Sequence, residues 1–350
     1  MPAEIRIGLV GTGFVAHLHA RALTRIGQPI AAVAGRDRDR AMAFAGEHRI
    51  DTVVEDWRTL VTTPDIDLVI VAAPTPHHAE MTIAALEAGR HVVCEKPLAS
   101  TLADAQAMVA AADRAGRHLG YAEQEPFAPN YRRLLELIEA GAIGDPVLVK
   151  HRGAHSGPHS PWFYAPEAGG GAIIDMGVHG IHLARAVFAD AMPIEVVARG
   201  RTLRHDTSLE DDALLLVDFG EQRLAEVEAS WIQLGGLDDH LEIYGLHGHA
   251  LARVSPNDGL RVYAEHGVED AVEKALPMPG WASVSGDELH ALGYVDQAAD
   301  YVGAIARGDS PSVTGRDGLV VMRVVDAAYR SIASGAPVSI EPDELSRLQA

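Results

Sequence analysis

The first 120 residues alternate short β-branched runs with helical stretches, and this rhythm admits few folds. Apolar runs at 5–10, 30–34, 67–73, 91–94 and 118–121 read as strands. Helical patterns fill 14–26, 37–48, 77–88 and 101–115. The run Asp67 to Ala73 has no polar alternation after its first residue, as a strand covered on both faces requires. Strand–helix repetition at this spacing demands a parallel sheet with right-handed crossovers. Between the first strand and the first helix stands Gly11-Thr12-Gly13-Phe14-Val15-Ala16, a G-x-G-x-x-A. In that position Gly11 allows the tight turn, Gly13 lets a pyrophosphate approach the backbone, and Ala16 lets helix and strand pack closely. The helix N-terminus then offers N–H groups and partial positive charge to the phosphates. The expected ligand is a nicotinamide dinucleotide, bound through Gly11, Gly13, Phe14 and Val15.

The choice between NAD and NADP turns on the end of the second strand. An acidic residue there holds the ribose hydroxyls of NAD. This chain has Gly35 at that position, followed by Arg36-Asp37-Arg38 and Arg40. The missing carboxylate removes repulsion against a 2′-phosphate, and a guanidinium binds one bidentately. The expectation is NADP. Asp37 reaching the ribose would restore NAD, and it also reads as the N-cap of the second helix.

After about residue 122 the rhythm changes. Helices at 129–140 and 172–188 frame a strand at 146–152 and a Gly-, Pro-, His- and Ser-rich loop over 153–171. Extended segments fill 194–264, and helices near 289–307 and 317–334 close the chain. Strands framed by helices predict an α+β domain. The division expected is a Rossmann domain over 1–122 and a substrate-binding and oligomerisation domain over 123–350. With 350 residues the chain is comfortable for two domains.

The formal net charge is −20, which repels nucleic acid and anionic membranes on average. Hydrophobic stretches break well short of a membrane span. One cysteine, Cys94, rules out an intrachain disulfide and a thiolate metal cluster within the chain. A cytoplasmic protein with no nucleic-acid or membrane partner is expected. The histidines His155, His159, His179 and His182 raise the question of a metal, but hydride transfer needs none and none is expected.

Two further motifs carry chemistry. Glu95-Lys96-Pro97 closes the strand at 91–94, where ligands of open α/β sheets sit. A cis Lys96–Pro97 bond fits there. Downstream, Gly169-Gly170-Gly171 leads into Asp175 and His179, four apart and so on one face of a regular helix. Histidine titrates near neutrality and suits proton transfer, and a nearby carboxylate can orient it.

With these motifs the chain resembles the Gfo/Idh/MocA oxidoreductases, a family that includes inositol dehydrogenases and glucose–fructose oxidoreductase. The G-x-G-x-x-A start, His78-Ala79-Glu80, Glu95-Lys96-Pro97, the G-G-G-x-x-x-D-x-x-x-H stretch and the segment Gly315 to Val338 carry the likeness. The resemblance implies a Rossmann domain followed by an α+β domain with an open-faced, largely antiparallel sheet that makes dimers or tetramers. It implies that Lys96 stabilises charge at the reacting carbon, that His179 is the general acid/base, and that Asp175 supports the site. Pro74, His78, Glu95 and Lys96 join the cofactor site. The chain departs from the family at 120–129, G-Y-A-E-Q-E-P-F-A-P, which lacks an Arg-Phe pair. Glu123 and Gln124, with His155 and Trp162 from the long loop, are therefore the expected substrate-binding residues. The implied substrate is a sugar, polyol or sugar derivative. An enzyme that retains its cofactor through a redox-neutral cycle is one alternative. A dinucleotide-binding regulator is another.

Overall fold

The structure, a computed structural model, describes residues 5–158, 160–165, 170–189, 191–254, 260–266, 277–284 and 286–341. His159 and Gly169 lie outside the described residues. The chain divides into two compact units, residues 1–124 with 294–319, and residues 125–293 with 320–350.

In the first unit β1 (Ile7–Val10), β2 (Ile30–Ala34), β3 (Thr52–Val54), β4 (Leu68–Val71), β5 (His91–Glu95) and β6 (Leu119–Ala122) form a parallel sheet. The strand order is β3-β2-β1-β4-β5-β6, the dinucleotide-binding order, which reverses between β1 and β4. Helices α1 (Phe14–Arg25), α2 (Arg38–His48), α3 (Trp57–Thr62), α4 (His78–Glu87) and α5 (Leu102–Ala115) make the crossovers. Strands β1 and β4 are buried along their whole length, so every residue in them is apolar or glycine. Thr101 caps α5 through Asp104 N, and Gly116 ends it in a left-handed conformation. β3 and α3 are absent from the sequence reading; three and six residues are too short to show a period.

Residues 294–319 belong to this unit, whereas the sequence division places them in the second domain. The helix Tyr294–Arg307 packs on α1, where Tyr294 meets His19 edge-on at 6.2 Å. The Tyr121 N–H donates to Val313 O at 3.1 Å, and Thr314 bridges to Gly120. A returning segment has thus bonded to the edge strand β6.

In the second unit α6 (Pro129–Glu139) leads to β7 (Pro146–Ala154). A widened π-helical turn over Ile173–Gly177 continues directly into α7 (Val178–Val187). Then come β8 (Glu195–Arg201), β9 (Asp212–Asp218), β10 (Leu224–Ser230), β11 (Asp238–Gly245) and β12 (Gly248–Arg253). A hairpin of β13 (Leu260–Ala264) and β14 (Gly280–Val284) and a two-residue edge strand β15 (Val338–Ser339) follow. The large sheet runs β12-β11-β7-β10-β9-β8-β15, antiparallel except for β7 beside β10.

Alternation gives that sheet one covered face. Val149, His151, Leu215, Val217, Val227, Asp239 and Leu241 are buried, and α7 packs against β7 and β10. The other face carries the exposed Leu214, Leu216, Leu224 and Tyr244, with Lys150–Glu226 and Arg152–Glu228 pairs between them. No described helix is long and apolar enough to cross a membrane.

Candidate functional site

The glycine loop meets the demands of a dinucleotide. Gly11 has φ +117°, and a Cβ there would lie 2.2 Å from Ala72 O. Both conformation and packing require glycine at that position. Gly13 is different. Its φ is −84°, open to any residue, and a Cβ would meet no protein atom within 4 Å. Neither conformation nor packing asks for glycine, so the remaining reason is the approach of a ligand to the backbone. No side chain caps α1 and no acidic residue stands in its first turn, which leaves the dipole to the ligand. Ala16 is fully buried, Val15 half-buried and Phe14 exposed.

At the end of β2 the space beside Gly35 is taken. A Cβ would come within 2.9 Å of Thr12 Cγ2 and 3.1 Å of Ala41 Cβ. Asp37 is the N-cap of α2 and accepts from Arg40 N at 3.0 Å. Arg40 Nε donates to Thr12 O at 3.0 Å, and Arg38 pairs with Glu55 at 2.6 Å. Arg36 is exposed and makes no side-chain hydrogen bond or ion pair among the described residues.

At the end of β5, Lys96 is half-buried and its bond to Pro97 is cis. Glu95 is buried and faces inward. Its Oε1 lies 2.6 Å from His19 Nε2, and its Oε2 accepts from Lys96 N at 3.1 Å. Glu95 thus braces the turn that presents Lys96. His78 is also buried, with Nδ1 2.9 Å from Pro97 O and Nε2 2.8 Å from Ala73 O. Burial lowers its pKa against the pull of those carbonyls. The neutral ring has one N–H to donate to one of these two carbonyls, and lying between them His78 ties the loops after β4 and β5 together rather than reaching outward. Pro74, at the start of that first loop, is exposed. Burial also lifts the Cys94 thiol far above its ordinary range, so it is inert.

The second unit carries the acid–base groups. The sequence pattern puts Asp175 and His179 on one face of a regular helix, but the π-helical turn over Ile173–Gly177 changes the spacing between them. They engage different partners. Asp175 Oδ2 lies 2.8 Å from His155 Nε2 and accepts the Trp231 indole N–H at 3.0 Å. His155 Nδ1 accepts from Gly157 N at 3.0 Å, which assigns its proton to Nε2. A carboxylate beside His179 is that of Glu125, whose Oε1 lies 3.2 Å from His179 Nδ1. Both side chains are almost completely buried.

Behind Glu125 lies a buried charge network. His151 Nε2 is 3.4 Å from Glu125 Oε2 and 3.5 Å from Asp239 Oδ1, and the Tyr131 hydroxyl donates to Asp239. Burial opposes the His151 charge, yet Asp239 and Glu125 outweigh it and lift the ring to about 10. Burial likewise opposes ionisation of Asp239, but His151 and the surrounding donors hold it down at about 2. Glu125 goes the other way. Burial first, then the Asp239 charge, raise it to about 7 against the attraction of His179 and His151. Ligand atoms of Glu125, His151 and Asp239 lie within 4.8 Å of one another, as do those of His17, Glu47 and His48, and Glu125 and His179 belong to a third such set with Glu123. Each set has the donors to hold a metal ion.

Of the expected substrate residues, Glu123 and Gln124 are buried at the end of the first unit. His155 is committed to Asp175 and Gly157. Trp162 is half-buried and stacks on Phe163 at 3.7 Å. The sequence reading misses Glu125, His151, Asp239 and Trp231. A signal did exist for two of them: His151 and Asp239 occupy inward positions of alternating strands, where a charge is costly. Gly170 and Gly171 are explained by close approach, since a Cβ would lie 1.9 Å from Phe163 O at the first and 2.3 Å from Glu210 Oε1 at the second.

Comparisons with known proteins match both parts of the chain. Residues 5–123 match the family model described as oxidoreductase family, NAD-binding Rossmann fold, and residues 131–251 match the GFO/IDH/MocA C-terminal domain. The chain is 30% identical to 1,5-anhydro-D-fructose reductase of Ensifer adhaerens over 342 residues, covering 96% of this chain and 98% of the relative. It is 29% identical to inositol 2-dehydrogenase 1 of Saccharopolyspora erythraea, covering 96% of each. Among solved structures, GenD2 from gentamicin A biosynthesis in complex with NAD superposes with a TM-score of 0.91 at 28% identity, covering 97% of this chain and 98% of that one. Levoglucosan dehydrogenase in complex with NADH and levoglucosan gives 0.82 at 26%, covering 96% and 99%. With both of its units matched over more than half of its length, the chain belongs to the GFO/IDH/MocA oxidoreductase family.

Proposed function

We propose that this protein is an NADP-dependent dehydrogenase or reductase acting on a CH–OH carbon of a sugar, polyol or sugar derivative. The observation that carries the reading is His179, buried with Nδ1 against a carboxylate just beyond the π-helical turn that holds Asp175. That is the arrangement of a general acid/base. In this reading His179 exchanges a proton with the substrate hydroxyl. Lys96 stabilises charge on the same oxygen. Asp175, held by His155 and Trp231, orients the substrate. The bound nicotinamide supplies the hydride chemistry. Relatives named for an inositol, an anhydrosugar and levoglucosan support the substrate class.

The preference for NADP rests on Arg36, exposed without a partner among the described residues beside a Gly35 that carries no carboxylate. The neighbours in complex with NAD and NADH favour NAD as the second reading. The exposed leucines of the large sheet support a homo-oligomer, and the single buried cysteine accords with a reducing cytoplasm.

The test is calorimetric binding of NAD and NADP to cofactor-free protein, followed by a sugar and polyol panel read by reduced-nicotinamide absorbance. Tighter NADP binding with turnover of a panel member bears the proposal out. Tighter NAD binding reverses the cofactor assignment. Binding without turnover of any member shifts the reading to a retained cofactor or a regulator.

A further inference from the structure

We infer that Glu125 is the positioning residue for His179, its carboxylate holding the Nδ1 proton so that Nε2 carries the lone pair that receives a proton from substrate. The inference rests on the reading of His179 as the acid/base and goes beyond it by assigning the group that sets its tautomer. The contact is direct, 3.2 Å between Glu125 Oε1 and His179 Nδ1, with both side chains only 3% exposed. Glu125 sits in the one-turn helix Glu125–Phe127, a short element that fixes where its carboxylate points.

Glu125 is also seated from behind. His151 on β7, Asp239 on β11 and Tyr131 on α6 form the chain already described. The His151 ring occupies the space under α7 itself, because a Cβ on Gly180 would lie 2.5 Å from His151 Nδ1. The helix that bears His179 therefore rests on the histidine that contacts Glu125. Apolar side chains would fill this layer without the desolvation cost of buried ions. A charged network touching the acid/base is where such a cost has a chemical use.

The charges give the arrangement its chemistry. Facing Glu125 are His151, Asp239, His179 and Tyr131, with the buried Glu123 carboxylate, two residues upstream, also within 4.8 Å of it; Arg253 on β12 acts on Tyr131. The Glu125 carboxylate is the group that meets His179 Nδ1. Ionised, it accepts the His179 Nδ1–H. In alcohol oxidation the substrate O–H proton passes to Nε2 and Glu125 neutralises the imidazolium formed, while a bound nicotinamide would supply the hydride acceptor. In carbonyl reduction the same proton transfer runs in reverse, with Nε2–H of the imidazolium held by Glu125 as the acid.

The test compares full-length wild type, Glu125→Gln, Glu125→Asp and His179→Ala. Readouts are kcat and KM across pH with an active panel substrate, and the ring nitrogen shifts of His179 by NMR. Glu125→Gln is expected to lower kcat about tenfold or more with KM little changed, to shift the pH profile, and to lower the His179 ring pKa. Glu125→Asp is expected to recover part of the rate. A folded Glu125→Gln with a wild-type pH profile and wild-type His179 titration overturns the inference. So does wild-type His179 protonated on Nε2 above neutrality, a result that needs no variant to fold. One tightly bound divalent metal per chain, lost in Asp239→Asn, also overturns it. His179→Ala with near-normal turnover sinks the acid/base reading itself. Inactive His179→Ala beside an unaltered Glu125→Gln sinks only the role of Glu125.

Discussion

His155 donates its Nε2–H to Asp175 across 2.8 Å, and the same carboxylate oxygen accepts the Trp231 indole. These groups come from the end of β7, the π-helical turn and the end of β10, so the bonds lock three parts of the second unit around one carboxylate. Trp231→Phe keeps most of the ring and deletes the N–H. It should lower unfolding stability by about 1–3 kcal/mol, the cost of a buried acceptor losing a donor. It should also lower kcat without changing dinucleotide affinity. A wild-type denaturation midpoint would show that the indole bond carries nothing.

Gly13 has an ordinary φ, and the space a side chain would enter there is open for 4 Å around its first carbon. Gly13→Val should leave the melting temperature of ligand-free protein unchanged and weaken dinucleotide binding at least about tenfold, by blocking approach to the backbone. Loss of stability without loss of affinity would assign Gly13 to folding.

Lys96→Ala and His179→Ala should each cut turnover by about 10²-fold or more while circular dichroism stays native. For Lys96 the brace beneath it, Glu95 with His19, is untouched by truncation of the side chain. Near-normal rates in both variants would remove the proposed chemistry.

His151 makes stability depend on pH. Its folded pKa is raised to about 10 from an ordinary value of 6.5. The stabilisation from its charge is therefore complete below 6.5 and is lost as pH rises through about 10. Glu125 titrates at about 7, so the decline from there up to about 10 belongs to His151. Urea unfolding across that window should show wild type losing stability more steeply than His151→Leu. Parallel curves would mean that the ring is neutral in the folded state.

Leu214 and Leu216 project from the open face of the large sheet, 44% and 38% exposed, between charged neighbours. If this face joins copies of the chain, Leu214→Glu with Leu216→Lys should shift the mass measured by light scattering to that of a single chain. An unchanged mass would place any interface elsewhere.

Much of this molecule is local in origin and could be read from the chain alone. The first unit's alternation, the turn at Gly11 and Gly13, the cis bond at Pro97 and the inward-facing strand positions all follow from a few adjacent residues and their φ preferences. Lys96, Asp175 and His179 stand out for the same reason. Tertiary structure decided what surrounds them. Tyr131 and Asp239 are 108 residues apart, and His19 and Glu95 are 76 apart, so no periodicity relates them. The π-helical turn that separates the partners of Asp175 and His179 is a backbone adjustment without a sequence period. The return of 294–319 to β6 is a long-range choice of the same kind. Burial makes the difference: the contact of Glu125 with His179, and with it the tautomer proposed for His179, exists only once the fold has brought the two together away from water.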